Sequence, residues 1–179
     1  MINKKLPYFK DIHTFIFDFD GIFTNNKVTL SLSGEEYIVC DRGDGLAFNL
    51  LKKFMKKNNW DLNIFILSKE KNKVVKTRAQ KLSVNSYQGV DNKKDFIVNY
   101  LNNKFGNCSS SNGIIYFGND INDYHAMQFS GFGVAPIDSH PLILDIADFI
   151  IKKKGGEGFI REFIEKFLID NGESLLDLV

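Results

Sequence analysis

Short runs of strand-forming residues alternate along the chain with longer segments in which apolar residues recur every three or four positions. The short runs, rich in Ile, Val and Phe, predict strands over 15–17, 62–67, 114–117, 132–135 and 149–151. The longer segments predict amphipathic helices with apolar stripes over 46–55, 96–101 and 159–168. This alternation is typical of a parallel sheet with helices on both faces, so we predict a Rossmann-like α/β fold.

One segment departs from the alternation directly after the first predicted strand. Residues 27–32 and 35–40 flank a turn at Ser33 and Gly34, which predicts a β-hairpin. The apolar side chains predicted to share one face of it are Val28, Leu30, Leu32, Tyr37 and Val39. Because an isolated hairpin is marginally stable in water, we expect this face to pack against the same chain or another subunit.

Composition and charge narrow the range of functions. The 179 residues are 44% hydrophobic and 25% charged, which suits a single domain over residues 1–179. A net charge of +1 gives no overall electrostatic field that would attract nucleic acid or anionic lipid. No apolar run approaches the ~18 residues that span a membrane, and no signal-peptide pattern is recognisable. We therefore expect a cytoplasmic protein with no nucleic-acid or membrane partner.

Polar residues at the ends of predicted strands indicate phosphate chemistry. The first strand runs into Asp18 and Asp20, at the edge where open parallel sheets bind ligands. Further polar residues at strand or helix ends are Ser68, Lys93, Asn119, Asp120 and Asp123. Several carboxylates would repel a phosphate dianion, so Mg²⁺ and a lysine are needed to offset their charge.

Each of these residues alone also suits a structural role. Asp18 and Asp20 could cap the turn that follows them. Ser68 could cap the next helix, and Lys93 could be a solvated surface lysine. The order and combination of the residues favour the functional interpretation.

The motifs resemble those of the haloacid dehalogenase (HAD) superfamily of phosphatases. The matching elements are Asp-x-Asp-Gly-x-x-Thr from Asp18, a lone Ser, a Lys and a late acidic motif. A further element, Gly-Gly-Glu-Gly-x-x-Arg-Glu from Gly155, resembles one branch of the superfamily in particular. The resemblance to this branch extends along the chain from about Ile12 to Leu168. The branch contains the phosphatases of 3-deoxy-manno-octulosonate 8-phosphate and of 2-keto-3-deoxynonulosonate 9-phosphate, and a domain of animal sialic acid cytidylyltransferases. The resemblance implies Mg²⁺-dependent hydrolysis of a phosphorylated 2-keto-3-deoxy sugar acid.

The resemblance also implies a role for each motif residue. Asp18 is expected to form an aspartyl phosphate, and Asp20 to protonate the leaving alkoxide and then activate water. Ser68 and Lys93 are expected to hold phosphoryl oxygens. The Mg²⁺ ligands expected from the two acidic motifs are Asp18, Asp20, Asn119, Asp120 and Asp123.

Asn119 departs from the family pattern, which usually has Asp at this position. An amide oxygen coordinates Mg²⁺ more weakly than a carboxylate, which leaves Asp120 or Asp123 to supply the charge. The sialic acid cytidylyltransferase domain has a similar Gly-Asn. The alternative function is therefore a catalytically weak or inactive homologue that serves as an oligomerisation module in sialic-acid-type sugar metabolism.

The sequence has no insertion of the size of a cap domain, only the hairpin. The branch that it resembles is tetrameric, with each site roofed by a neighbouring subunit and its glycine-rich tail, so we expect a homotetramer. Glu70 and Lys81 are eleven residues apart and could share a helix face. A similar pair in the nonulosonate enzymes favours a nine-carbon substrate, with the eight-carbon acid next.

Two arginines are candidates for the sugar carboxylate. Arg78 and Arg161 could each pair bidentately with it. Surface charge pairing is the open alternative for both arginines, as a solvated helix face is for Glu70 and Lys81.

Two other α/β classes fit less well. A signalling receiver domain places its phosphoaccepting Asp after a middle strand, whereas Asp18 follows the first. A dinucleotide-binding domain has a glycine-rich loop where this chain has Asp-x-Asp-Gly.

Overall fold

A computed structural model describes residues 3–106 and 110–179 of the chain. Its strands are β1 (Thr14–Phe17), β2 (Thr29–Leu30), β3 (Glu36–Tyr37), β4 (Asn63–Leu67), β5 (Asn85–Tyr87), β6 (Ile114–Phe117), β7 (Phe132–Pro136) and β8 (Phe149–Ile151). Six of them form one sheet in the order β5-β4-β1-β6-β7-β8, and every neighbouring pair in it is parallel. The predicted parallel α/β architecture is therefore confirmed.

Helices cover both faces of this sheet. They are α1 (Arg42–Asn58), α2 (Lys73–Leu82), α3 (Lys93–Phe105), α4 (Tyr124–Phe129), α5 (Pro141–Ile146) and α6 (Phe159–Asp170). Phe15 and Phe17 of β1 pack with α1, α2 and α6, whereas Ile16 between them packs with α3, α4 and α5. Burial on both faces explains why the strands are continuously apolar. Within the described ranges, none of the helices has the length and apolarity needed to cross a bilayer.

The topology brings the ends of three strands to one place. β1 lies between β4 and β6, and the chain extends the sheet first towards β5 and later towards β8. Ligands of open α/β sheets bind where the winding direction changes, at the carboxyl ends of the strands. The residues that follow β1, β4 and β6 therefore share one edge.

The elements that the apolar pattern does not predict are short or polar. β5 is an edge strand with the sequence Asn-Ser-Tyr, and its side chains are partly or fully exposed. α4 and α5 have six residues each, too few for a clear helical period. Cys108 of the loop before β6 lies outside the described residues.

The hairpin forms as predicted, but the prediction that its apolar residues share one face is wrong. Thr29 pairs with Tyr37, and Leu30 pairs with Glu36. Directly paired residues point to the same side, so Tyr37 and Val39 lie opposite to Leu30. One face, with Glu36, is directed towards the cavity described below, and the other is exposed.

Candidate active site

The turn that follows β1 carries Asp18 and Asp20 at the centre of the sheet edge. The Asp18 N–H donates to the carbonyl of Phe117 at 2.8 Å, which extends the contact between β1 and β6 by one residue. The chain then reverses at Gly21, whose φ of +79° favours glycine, and the Gly21 N–H donates to Thr24 Oγ1 at 3.2 Å. The Thr24 hydroxyl in turn donates to Asp20 Oδ1 at 3.5 Å, and both aspartates line a cavity.

Ser68 lies at the end of β4, beside the β1 turn. Its N–H donates to the carbonyl of Tyr87 at 2.9 Å, and its hydroxyl accepts from the N–H of Glu70 at 3.1 Å. Asn72, not Ser68, caps the N-terminus of α2. Ser68 is buried and lines the same cavity as the two aspartates.

Lys93, the first residue of α3, links two aspartates. Its Nζ lies 2.7 Å from Asp18 Oδ1 and 2.7 Å from Asp123 Oδ1, and the residue is only 2% exposed. Burial excludes the alternative of a solvated surface lysine. The ammonium offsets part of the negative charge that would repel a phosphate group.

Asp123 is held by four hydrogen-bond donors. Its Oδ1 accepts from Lys93 and from the Tyr116 hydroxyl, both at 2.7 Å, and its Oδ2 accepts from the N–H groups of Asn119 at 2.9 Å and Asp120 at 3.3 Å. The residue is fully buried. Asp123 therefore positions Lys93 and the loop, which differs from its predicted role as a Mg²⁺ ligand. The sequence does not indicate Tyr116 as a site residue, because it lies within an apolar strand.

Burial raises the pKa of both candidate catalytic aspartates. Burial and then the charge of Asp123 raise the pKa of Asp18 to about 8, while Lys93 acts in the opposite direction. Burial alone would lower the pKa of Lys93, but the two aspartates outweigh it and the pKa is raised. The pKa of Asp20 is raised by burial and then by the charge of Glu70. A raised pKa suits Asp20 to proton donation.

The amide of Asn119 supplies a buried oxygen that fits a cation. Asn119 Oδ1 accepts no hydrogen bond from the described residues, and the amide packs so closely on Gly21 that an added Cβ there would lie 2.0 Å from Nδ2. Residues 3–106 and 110–179 contain no cluster of three His, Cys, Asp or Glu side chains suited to a metal. Oxygen donors of the kind that Mg²⁺ prefers are present at the cavity in this amide and in Asp18 and Asp20. Asp120 is exposed and caps the 3₁₀ turn that follows it.

The cavity beside these residues has a volume of about 590 Å³. The hairpin forms part of its wall through Val28, Glu36 and Ile38. Glu36 is a site residue that the sequence does not indicate, because it lies in a hairpin rather than at a strand end of the sheet. The cavity is large enough for a sugar phosphate and carries polar groups on several sides.

Of the four predicted substrate-binding residues, the structure brings only Glu70 to the cavity. The prediction that Glu70 and Lys81 share a helix face is wrong, because α2 begins at Lys73 and Glu70 precedes it. Lys81 is exposed on α2. Arg78 Nη2 donates to a backbone carbonyl of residue 41 at 2.7 Å, and Arg161 pairs on the surface of α6 with Glu165 at 2.7 Å.

Comparisons with known proteins identify similar chains. The model of a family described as haloacid dehalogenase-like hydrolase matches residues 9–163. The 3-deoxy-D-manno-octulosonate 8-phosphate phosphatase KdsC of Escherichia coli strain K12 is 27% identical over 165 residues, which cover 92% of this chain and 83% of that protein.

Two solved structures have similar folds over most of the chain. The 3-deoxy-D-manno-octulosonate 8-phosphate phosphatase of Moraxella catarrhalis, in complex with a magnesium ion, a phosphate ion and KDO, has a TM-score of 0.79 at 28% identity and covers 90% of this chain and 88% of its own. A HAD family protein from Streptomyces avermitilis MA-4680 has a TM-score of 0.83 at 32% identity, with coverages of 95% and 91%.

Proposed function

The chain belongs to the haloacid dehalogenase-like hydrolase family, and on this premise we propose that it is a Mg²⁺-dependent phosphatase of 2-keto-3-deoxy sugar acid phosphates. The observation that carries the proposal is the buried Lys93 ammonium, which bridges Asp18 and Asp123 at 2.7 Å beside a polar cavity. The family resemblance and the enzyme class, a phosphoric monoester hydrolase, are confirmed by the family match and the named relatives.

In the proposed reaction Asp18 acts as a carboxylate, because the positive charge of Mg²⁺ would lower the pKa of about 8 that the side chain has without the cation. One of its carboxylate oxygens attacks phosphorus. The bond from phosphorus to the sugar oxygen breaks, and that oxygen keeps the electron pair and takes a proton from Asp20. Asp18 then carries the phosphoryl group, and Asp20 is a carboxylate. In the second half of the reaction, a water molecule gives a proton to Asp20 while the water oxygen attacks phosphorus. The bond from phosphorus to Asp18 breaks, and inorganic phosphate leaves.

Buried polar groups would stabilise the charge that develops on the phosphoryl oxygens. The Ser68 hydroxyl and the Lys93 ammonium would hold these oxygens. Mg²⁺ would be held by the Asp18 carboxylate, the Asp20 backbone carbonyl and Asn119 Oδ1. When bound, it supplies positive charge next to the phosphate. Asp120 lines the cavity and would be available as a further donor.

The eight-carbon sugar acid is the favoured substrate class. The Escherichia coli and Moraxella catarrhalis relatives are named for 3-deoxy-D-manno-octulosonate 8-phosphate, which supports an octulosonate phosphate. The nine-carbon preference inferred from the sequence depends on Glu70 acting together with Lys81, and Lys81 does not line the cavity. The nonulosonate phosphate is therefore the second candidate.

We also propose that residues 1–179 act as one domain in a cytoplasmic homotetramer. Self-association is supported by the outer face of the hairpin, where Tyr37 is 57% and Val39 is 76% exposed. Large exposed apolar side chains close together are typical of interaction sites.

A phosphate-release assay with both sugar acid phosphates, with and without Mg²⁺, tests the proposed function. We expect Mg²⁺-dependent release by the wild-type protein and a loss of at least about a thousandfold in Asp18→Asn, because the amide is not a nucleophile. Release that persists in Asp18→Asn would contradict the assignment of the nucleophile. A folded wild-type protein that releases phosphate from neither substrate would favour the oligomerisation module instead.

A further inference from the structure

The segment that links β8 to α6 contains Gly155 and Gly156, and both lie against the turn that bears Asp20. The Gly156 N–H donates to the carbonyl of Ile22 at 3.1 Å. Gly155 is buried, and a Cβ added to it would lie 1.8 Å from the carbonyl oxygen of Gly21. The two stretches of backbone are thus in direct contact, at a separation that only glycine permits.

The glycine segment is held from both ends. The Gly155 N–H donates to Asp138 Oδ1 at 3.0 Å, in the loop after β7. On the other side, α6 begins at Phe159 in the core, and the Arg161 N–H donates to Asp44 Oδ1 of α1 at 3.1 Å. Because a close-packed core resists displacement, we expect the segment to withdraw only in part when the contact is crowded.

The turn is fixed equally firmly on its inner side. Phe19, Ile22 and Phe23 are buried in the core, so the turn lies between that core and the glycine segment. A side chain at Gly155 would have to increase the distance to the Gly21 carbonyl oxygen by about 1.2 Å to reach 3.0 Å, the lower limit of real contacts, and the part of this shift that the turn takes up displaces Gly21. Asp20 precedes Gly21 and would move with it. A misplacement of about 1 Å can cost a factor of about a hundred in rate.

We propose that Gly155 and Gly156 are positioning residues that set the distance between the Asp20 carboxyl group and the oxygen of the leaving group. This inference depends on the proposed function, which assigns to Asp20 the protonation of that oxygen. The family resemblance implies that the glycine-rich tail covers the site of a neighbouring subunit. In this chain, Gly155 and Gly156 contact the turn of their own subunit.

The leaving group provides a readout that a merely structural role would not change. A sugar alkoxide needs a proton as it leaves, whereas p-nitrophenolate leaves readily without one. We expect Gly155→Ala to lower the single-turnover rate of leaving-group release about a hundredfold on the sugar acid phosphate and less than about tenfold on p-nitrophenyl phosphate. A single turnover of this kind precedes the step in which Asp20 activates water, so it reports protonation of the leaving group alone. Asp20→Asn should show the same selective loss in a stronger form.

Matched glycines provide the controls. Gly45 has ordinary φ and no close neighbour, so Gly45→Ala controls for Gly155→Ala. Gly156 and Gly172 both have positive φ, but only Gly156 meets other backbone atoms, so Gly172→Ala controls for Gly156→Ala. Neither control should alter the ratio of the rate on the sugar acid phosphate to the rate on p-nitrophenyl phosphate.

Asp138→Ala keeps the test decisive if the alanine variants do not fold, since it releases Gly155 without adding an atom. It should lower the same ratio to a smaller degree. Equal losses on both substrates, or an unchanged ratio in folded Gly155→Ala and Asp138→Ala, would overturn the positioning role. A wild-type protein inactive on both substrates, or an Asp20→Asn variant without leaving-group selectivity, would instead refute the proposed function.

Discussion

At the scale of single residues, Asn119 has a large influence on the charge of the site. The related phosphatases are expected to have a carboxylate at this position, whereas Asn119 contributes a neutral oxygen beside Asp18 and Asp20. Asp123 does not make up the difference, because its two oxygens already accept four hydrogen bonds. The site should therefore bind Mg²⁺ more weakly than a site with a further carboxylate.

Replacing Asn119 by Asp should tighten Mg²⁺ binding and destabilise the metal-free protein. The added charge attracts the cation, but in the absence of Mg²⁺ the new carboxylate repels Asp18. We expect a Mg²⁺ dissociation constant roughly tenfold lower by calorimetry, and a lower melting temperature in chelator. An unchanged dissociation constant would show that residue 119 does not bind the metal.

The sequence predicts the location of some site residues better than their contacts. Asp18, Ser68 and Lys93 stand at the ends of strands or at the start of a helix, so the fold class alone places them on one edge. The bonds that Asp123 accepts depend on the path of a short loop and on Tyr116 inside a strand. Such contacts between distant side chains leave no periodic pattern in the sequence.

At the scale of elements, the junction of α1 with α6 contains a buried carboxyl group that the reaction does not use. Asp44 is fully buried in the first turn of α1; its Oδ1 accepts from the Arg161 N–H at 3.1 Å, and its Oδ2 accepts no bond from the described residues. Burial raises its pKa to about 7, although that hydrogen bond and the charges of Arg78 and Arg161 act in the opposite direction.

This pKa predicts that Asp44 makes the protein less stable as pH rises. The folded protein keeps a proton that the unfolded chain releases above the ordinary value of 3.8, so stability falls between pH 3.8 and about 7 and the loss is complete above that. Asp44→Asn, which stays neutral, should be more stable than wild type at pH 8, by at most about 4 kcal/mol, and similar to it near pH 4.

Urea unfolding of both proteins across this pH range measures the difference. Asp145→Asn, at an exposed carboxylate of α5, is the control and should give a difference that does not vary with pH in this way. The prediction for Asp44 is wrong if the stability difference between Asp44→Asn and wild type is the same at pH 4 and pH 8.

The apolar pattern predicts long elements better than short ones. α1 and α6 repeat their apolar residues over several turns, which makes them recognisable. In the hairpin, each strand has only two residues and a shift of one pairing position exchanges the faces, so the partners of Leu30 and Tyr37 could not be derived.

At the scale of the whole molecule, the exposed hairpin face predicts self-association. We expect a tetramer by light scattering, and a smaller species for Val39→Glu, because a buried charge would destabilise the interface. Leu176→Glu is the control, since Leu176 is 85% exposed on a 3₁₀ turn near the C-terminus and should not change the mass. A monomeric wild-type protein with full activity would contradict the tetramer and the shared site.

The central claim concerns the sheet edge, where separate stretches of chain jointly place Asp18 for attack on phosphorus. The most direct test is to quench the Asp20→Asn variant with acid during turnover of radiolabelled p-nitrophenyl phosphate. Phosphoryl transfer to Asp18 should proceed, but water should not be activated, so labelled protein should accumulate, with the label on the peptide that contains Asp18. Absence of label, or label in the double variant Asp18→Asn/Asp20→Asn, would contradict the account.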